Sequence, residues 1–221
     1  MLAGTIVKGG KQDRQIGEDF VVPRDKQVDV SAFCVEQGRW NGTREGVATG
    51  GKFSAQRALA VGKVRAAGQY ENDQSQVWSK VDEVNHANGK KAESGTLLAT
   101  MSDPEINRGM VDLSARASAA LAEAEQQDRL VGVAYAVNGE VRGIRWFAGP
   151  ALFALHRDTL LQTAALEAMT AAAEARAGAK PALAAVPEAA EVTAFIDRME
   201  VAAVQEAKSS GSQTQDCLLY T

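Results

Sequence analysis

Cysteine and histidine are scarce in this 221-residue chain, with two of each. Cys34 and Cys217 stand far apart, so neither a disulfide framework nor the paired-cysteine spacing of a zinc site is available. His86 and His156 are equally isolated, and no metal site is expected. An excess of one charge is missing too. The 24 basic residues stand against 28 acidic ones, for a net charge of −4, which argues against a nucleic-acid binder working through bulk positive charge. No stretch approaches the ~18 consecutive apolar residues that a membrane span requires. The opening residues Met1 to Val7 are too short and too soon polar for a secretory signal. A Gly-rich dinucleotide fingerprint, a Walker-type phosphate loop and a nucleophile elbow are all absent. A reducing, cytoplasmic setting is the simplest expectation, with neither nucleic acid nor membrane as partner.

The hydrophobic share, 45%, is ample for a core. The first third reads as β: Thr5-Ile-Val running into Gly9-Gly10, the short run Asp19–Val22, and Gln27–Val35, rich in β-branched residues. Gly38 to Gly51 reads as loop. Ser54 to Ala67, built of good helix formers, predicts a helix. Gln74 to Val84 predicts another, with Val77, Trp78, Val81 and Val84 on one face. Asn85 to Lys91 is a polar break. Asp103-Pro104 marks a helix start, with Asp as cap and Pro in the first turn. Asp112 to Gln127 continues it, with Leu113, Ala117, Ala120, Leu121 and Ala124 as the expected buried stripe.

Asn138-Gly139 between two strand-like runs is a strong hairpin signal, because both central residues of such a turn need positive φ. Gly149-Pro150 opens a helix expected to run through Ala175, with Phe153, Leu160, Leu161, Ala164 and Ala165 facing the core. Ala172 to Ala190 is an alanine-rich connection, and Glu191 to Ala207 a last helix. Strands, then helices, a hairpin and helices again give an α+β fold with a mostly antiparallel sheet, without regular βαβ alternation. Residues 1–207 are expected to form a single domain truncated at both ends. Residues 208–221 read as a disordered tail, with 217–221 as non-native read-through.

Two polar stretches concentrate chemistry: Gly9-Gly-Lys-Gln-Asp-Arg14 and Cys34-Val-Glu-Gln-Gly-Arg-Trp40. Both close predicted strands, where loops carry function on a rigid scaffold. Lys11, Arg14 and Arg39 suit a phosphate or carboxylate, which Arg can grip in a fork. Gln12 would position such a ligand, Trp40 can stack on a flat ring, and Glu36 is the candidate general acid/base. Each residue also has a plainer role. Lys11, Gln12 and Arg14 can cap and brace a turn, Glu36 and Arg39 can be a structural ion pair, and Trp40 can simply pack. Cys34 reads as an inert buried thiol, His86 as a surface imidazole and His156 as a half-buried one.

Gly10-Lys-Gln-Asp-Arg14 and Cys34–Trp40, with looser likeness at Gly132–Val137 and Gly149–Phe153, resemble a bacterial family, the ARG and Rhodanese-Phosphatase-superfamily-associated Protein domain. The likeness covers most of Met1 to about residue 207. It implies a β-rich segment before Met1 and a closing strand pair after that point. Asp13 stands where the family pattern often has Asn, which puts any inherited role of that position in doubt. The family's name associates it with ADP-ribosyl-glycohydrolases and phosphatase-like enzymes, so the resemblance implies an ADP-ribose-like or NAD-derived nucleotide as ligand. Two functions fit: hydrolysis or group transfer on such a nucleotide, or a non-catalytic sensor or protein-interaction module, its partner surface supplied by the alanine-rich helices. No cofactor is specified.

Overall fold

The computed structural model describes residues 1–44, 46–125, 129–178 and 186–198. The architecture is α+β. Strands β1 (Thr5–Gly9), β2 (Arg14–Ile16), β3 (Ala32–Cys34) and β6 (Phe53–Leu59) form a four-stranded antiparallel sheet in the order β3-β2-β1-β6. A small hairpin, β4 (Thr43–Arg44) with β5 (Val47–Ala48), stands apart from it, as does the hairpin of β7 (Gly132–Val137) and β8 (Glu140–Trp146). The helices are α1 (Gly62–Gln69), α2 (Gln74–Ala87), the short α3 (Leu98–Met101), α4 (Pro104–Glu125) and α5 (Pro150–Gly178). Residues 189–198 are helical as well.

Local chemistry explains several boundaries. Asp73 caps α2, its carboxylate accepting the Ser75 and Gln76 N–H groups at 2.8 and 3.2 Å, as an N-cap acid should. Asp103 does the same for α4 through Glu105 and Ile106. Asn138 and Gly139 take φ of 54° and 79°, the left-handed pair that a two-residue hairpin turn demands.

The central core gathers Ile6 and Val35 from the sheet side with Val64, Val77, Val81 and Val84 from α1 and α2, Met101, Ile106 and Met110 from α3 and α4, and Leu166 from α5. Helix α5 runs through the middle of the fold, touching α4, α2, β6 and β7. A second cluster of Leu2, Leu59, Phe153 and Leu160 lies beneath the β7–β8 hairpin. No helix among the described residues is long and apolar enough to cross a membrane.

Several expected boundaries move. Ser54–Leu59 is strand, not helix: β6 pairs with β1 along Thr5↔Leu59 to Gly9↔Phe53, and the helix begins only at Gly62. Good helix formers yield here because the edge of β1 offers a ladder of backbone partners that a local helix would leave empty. Asp19–Val22 is irregular, with Val21 exposed at 84%, and of Gln27–Val35 only Ala32–Cys34 is strand. The Gly38–Gly51 loop holds the β4–β5 hairpin. Helix α2 runs on through His86 to Ala87, burying Asn85 inside the expected break. In α4 the burial falls on Ile106 and Met110, whereas Ala120 is exposed. Helix α5 continues to Gly178. The connection at 179–185, the end of the last helix and the 208–221 tail lie outside the described residues.

A carboxyl on α5 is tied to the head of α1. The Glu167 carboxyl accepts the Gly62 N–H at the head of α1 and lies 3.8 Å from Arg65. Burial pushes this carboxyl above its ordinary value, against the opposing pull of Arg65 and the Gly62 N–H. A carboxyl raised in the folded state favours folding when protonated. Its contribution is full below the unfolded value and is lost as pH rises through the folded one. Glu167→Gln keeps an acceptor for Gly62 but cannot ionise. It should therefore lose less stability than the parent as pH rises above the ordinary glutamate value of about 4.3 in urea unfolding; equal losses would clear Glu167 of the effect.

Candidate functional site

Strand β1 ends in Gly9-Gly10, and the backbone there tolerates little else. Gly10 has φ of 53°, and a Cβ on it would strike the Phe53 ring; a Cβ on Gly9 would strike the Lys52 carbonyl oxygen. This tight turn carries the chain back into β2 and sets Gln12 and Asp13 inward. The loop after β3 meets them there. The Val35 N–H donates to the Asp13 carbonyl at 2.9 Å, and the Gln12 amide donates to the Glu36 carbonyl at 2.8 Å. From the other side the Leu97 N–H donates to the Val35 carbonyl, and the Gly38 N–H to the Ser94 carbonyl. Three segments distant in sequence are thus laced together by backbone bonds before any ion pair is counted.

Four charged side chains fill the space between them. Arg39 grips Glu36 in a fork, Nε to Oε1 at 2.9 Å and Nη2 to Oε2 at 2.7 Å. Its Nη1 donates to the Gly10 and Asn41 carbonyls at 2.7 and 3.0 Å. Arg44 bridges the two acids, with Nη2 donating to Asp13 Oδ1 at 2.5 Å and to Glu36 Oε2 at 3.2 Å. Asp13 also receives the Gly9 N–H on Oδ1 and the Thr96 hydroxyl on Oδ2, at 3.1 and 2.7 Å, and its own N–H donates to Glu36 Oε2 at 2.9 Å. Thr49 adds a hydroxyl bond to the Gly10 carbonyl at 3.0 Å. Asp13, Glu36 and Arg39 are buried, and Arg44, at 20% exposure, forms the solvent side of the quartet.

Two acids and two guanidiniums cancel formally, and that balance makes the burial tolerable. Burial pushes the Glu36 carboxyl upward, but the hydrogen bonds from Arg39, the Asp13 N–H and Ser94, with the Arg44 charge, outweigh it and hold the group below its ordinary value. Glu36 is therefore ionised at neutral pH, with donors on both oxygens.

The structure brings Gln12, Glu36 and Arg39 together and leaves Lys11, Arg14 and Trp40 outside the network. Lys11 and Arg14 are exposed, and Trp40 is exposed at 64%. Arg14 lies opposite Cys34 in the β2–β3 ladder. The Cys34 thiol is half-buried and donates to Gln12 Oε1 at 3.0 Å; burial pushes its pKa up, against the Arg14 charge. His156 stacks on Phe147 with ring centroids 5.3 Å apart, and burial pushes its pKa down. His86 is exposed.

Sequence reasoning missed Arg44 and Thr96. Arg44 sits in a stretch that reads only as loop, and Thr96 is 83 residues from the acid it serves. Asp13, set aside as a departure from the family pattern, is a full member of the quartet.

A family model described as the ARG and Rhodanese-Phosphatase-superfamily-associated Protein domain matches residues 1–218, and the chain belongs to that family. The match begins at Met1 and takes in most of the stretch set apart as a tail, so the expectation of a fragment lacking both ends gains nothing from it. No curated protein and no solved structure matches the chain.

Removing one charge from the quartet leaves its neighbours buried and unpaired. Glu36→Gln and Arg39→Gln should each lower the unfolding free energy by about 3–5 kcal/mol, whereas Lys11→Ala and Arg14→Ala should stay within about 0.5 kcal/mol. With its folded pKa depressed, Glu36 contributes stability above its unfolded value and loses it as pH falls through the folded one. The Glu36→Gln deficit, followed by urea unfolding, should therefore shrink towards acid pH. A deficit that is constant or absent contradicts the role.

Proposed function

We propose that this member of the family is a binding module for a phosphate-bearing nucleotide of the ADP-ribose or NAD-derived class, held on the outer side of the loops that the quartet pins. The observation that carries this reading is the saturation of Glu36. A general base needs a lone pair directed at the proton it takes, and both Glu36 oxygens are already engaged by Arg39, Arg44 and the Asp13 N–H. The plainer role weighed for Glu36 and Arg39, a structural ion pair, accounts for that geometry. Exposed Lys11 and Arg14 remain as the anion-holding cations, and exposed Trp40 offers a face for a base to stack on. Gln12, bonded to the Glu36 carbonyl and to Cys34, supports the loop from behind. The nucleotide class rests on the family's association.

Hydrolysis or group transfer with Glu36 as acid/base is the second reading. One feature favours it: Arg44, which covers Glu36 Oε2, is the quartet's most exposed member. A ligand that drew Arg44 outward would remove one of the three donors on that oxygen, leaving Arg39 Nη2 and the Asp13 N–H.

The test is calorimetric titration of the full chain with ADP-ribose and NAD, alongside chromatography for product. Saturable binding without product is expected, weakened at least about tenfold in the Lys11→Ala/Arg14→Ala double variant with an unchanged melting temperature. Product that disappears in Glu36→Gln, at a temperature where that variant is still folded, would replace the sensor with an enzyme. Neither binding nor product would turn attention to a protein partner on the alanine-rich helices.

A further inference from the structure

The four-stranded sheet has two edges, and the molecule treats them differently. At the β3 edge the side chain of Gln74 stands in for a neighbouring strand. Its Oε1 accepts the Cys34 N–H and its Nε2 donates to the Cys34 carbonyl, both at 2.8 Å. At the far end of β6 the Thr163 hydroxyl accepts the Leu59 N–H. That leaves Phe53 to Ala55 uncovered. The Gly10 N–H donates to the Lys52 carbonyl at 3.3 Å, and Ser54 lies opposite Lys8. Backbone groups alternate in direction along an antiparallel strand, so Phe53 and Ala55 turn their N–H and C=O groups away from β1. Among the described residues none bonds them on that side, and Phe53, Ser54 and Ala55 are exposed. Unpaired groups of this kind are a template for another strand, and native proteins usually cover them.

A cleft of about 310 Å³ lies beside this edge. Strand β6 walls it from Ala55 to Ala58, and Met101, Ser102, Asn107 and Met110 line it from the α3–α4 corner. Asn107 donates its amide to the Met101 and Asp103 carbonyls at 3.1 and 3.0 Å, which fixes that corner. Met101 and Met110 belong to the core and give the cleft an apolar wall that adapts to different side chains. The lining carries a single charge, Arg57. Gln56 to Ala58 stand opposite Ile6 alone, and that bulge ends regular pairing.

We propose that the open edge of β6 and the cleft beside it dock an extended, acidic segment of a protein partner, which joins the sheet as a fifth strand. Backbone complementarity is the first reason. An extended chain offers the alternating donors and acceptors that Phe53 and Ala55 lack, whereas a helix spends its own internally. Charge is the second. Lys52 and Arg57 bracket the open edge, both exposed, and exposed Lys8 stands opposite Ser54. A carboxylate on the incoming strand can take the Arg57 fork, while an apolar side chain enters the cleft against the methionines. A second copy of β6 would instead bring its own Lys52 and Arg57 to the same short edge, like charge against like. The bulge confines the added strand to the Phe53–Ala55 stretch, so the contact is short and its specificity rests on these side chains.

Panning the full chain against a displayed library of random short peptides should enrich sequences that combine acidic with apolar residues. With the enriched peptide at saturation, hydrogen exchange at the Phe53 and Ala55 amides, followed by NMR, should slow at least about tenfold. Arg57→Glu should weaken binding about tenfold. Ala55→Pro, which removes an outward N–H that the fold leaves unused, should weaken it about fivefold with the β1 ladder intact. No enriched peptide, peptides without acidic residues, or binding that leaves the two amides unprotected overturns the proposal. So does protection that rises with protein concentration alone, which would give the edge to a second copy. Peptides are the only probes, so the outcome is independent of any nucleotide at the Gly9–Trp40 loops.

Discussion

The fork between Arg39 and Glu36 sits where three separate pieces of chain meet, and the order of those pieces depends on it. Arg39 alone reaches the Gly9–Gly10 turn, the Asn41 carbonyl and the carboxylate. A lysine in its place could not reach all of these, because its three donors sit on one nitrogen and lack the spread of a planar fork. Glu36 in turn orients Asp13 through the backbone, and Asp13 holds Thr96. Apart from Val35, which joins the core, the stretches Gly9–Arg14 and Val35–Trp40 bury no apolar side chain, so electrostatic closure does the work there that hydrophobic burial does elsewhere in the molecule. Such closure is all-or-none in character: a quartet missing one member is worse than no quartet.

Elements whose cause is local were legible in the sequence. Asp103 announces α4 because a cap acts within three residues, and Asn138-Gly139 announces a hairpin because its turn needs positive φ at two adjacent positions. The valines of α2 face inward as their spacing requires. Ser54–Leu59 failed for the opposite reason. Its fate was decided by β1, some fifty residues away along the chain, and composition carries no record of a partner at that distance. The stripe of α4 held in part: Leu113 packs on the core as expected, but Ala120 is exposed, and Ile106 and Met110, nearer the N-terminus, supply the burial.

The polar cluster was legible as a place and less so as a mechanism. Gly9–Arg14 and Cys34–Trp40 do converge, and Gln12, Glu36 and Arg39 belong to one network. What a string of letters could not separate was inward from outward. Within Gly10–Arg14, Lys11 and Arg14 face solvent while Gln12 and Asp13 between them are buried. The cations that looked like one ligand-holding group therefore divide, Arg39 inside with the acids and Lys11 and Arg14 outside. The polar bonds beneath the β7–β8 hairpin, from Arg145 to Asp19 and from Arg65 to the Tyr135 hydroxyl, gave no sequence signal. Asp19, Arg65, Tyr135, Arg145 and Glu167 are spread over almost the whole described chain and share no motif.

The bonds that close this structure span long stretches of chain: 83 residues from Thr96 to Asp13, 104 from Thr163 to Leu59 and 105 from Glu167 to Gly62. For a chain made from its N-terminus, this imposes a timetable. The sheet and the Arg39–Glu36 fork can assemble early, but Asp13 waits for Thr96, and the Leu59 amide at the sheet edge waits for α5. Until the ribosome has delivered Thr163, the Leu59 amide at the end of the edge strand β6 lacks its acceptor, and exposed strand edges are the kind of surface on which nascent chains misassociate. Long-range closure of this sort also makes folding slow relative to a helical bundle of equal size. Helix α5 is therefore the element that completes the end of β6 nearest the core.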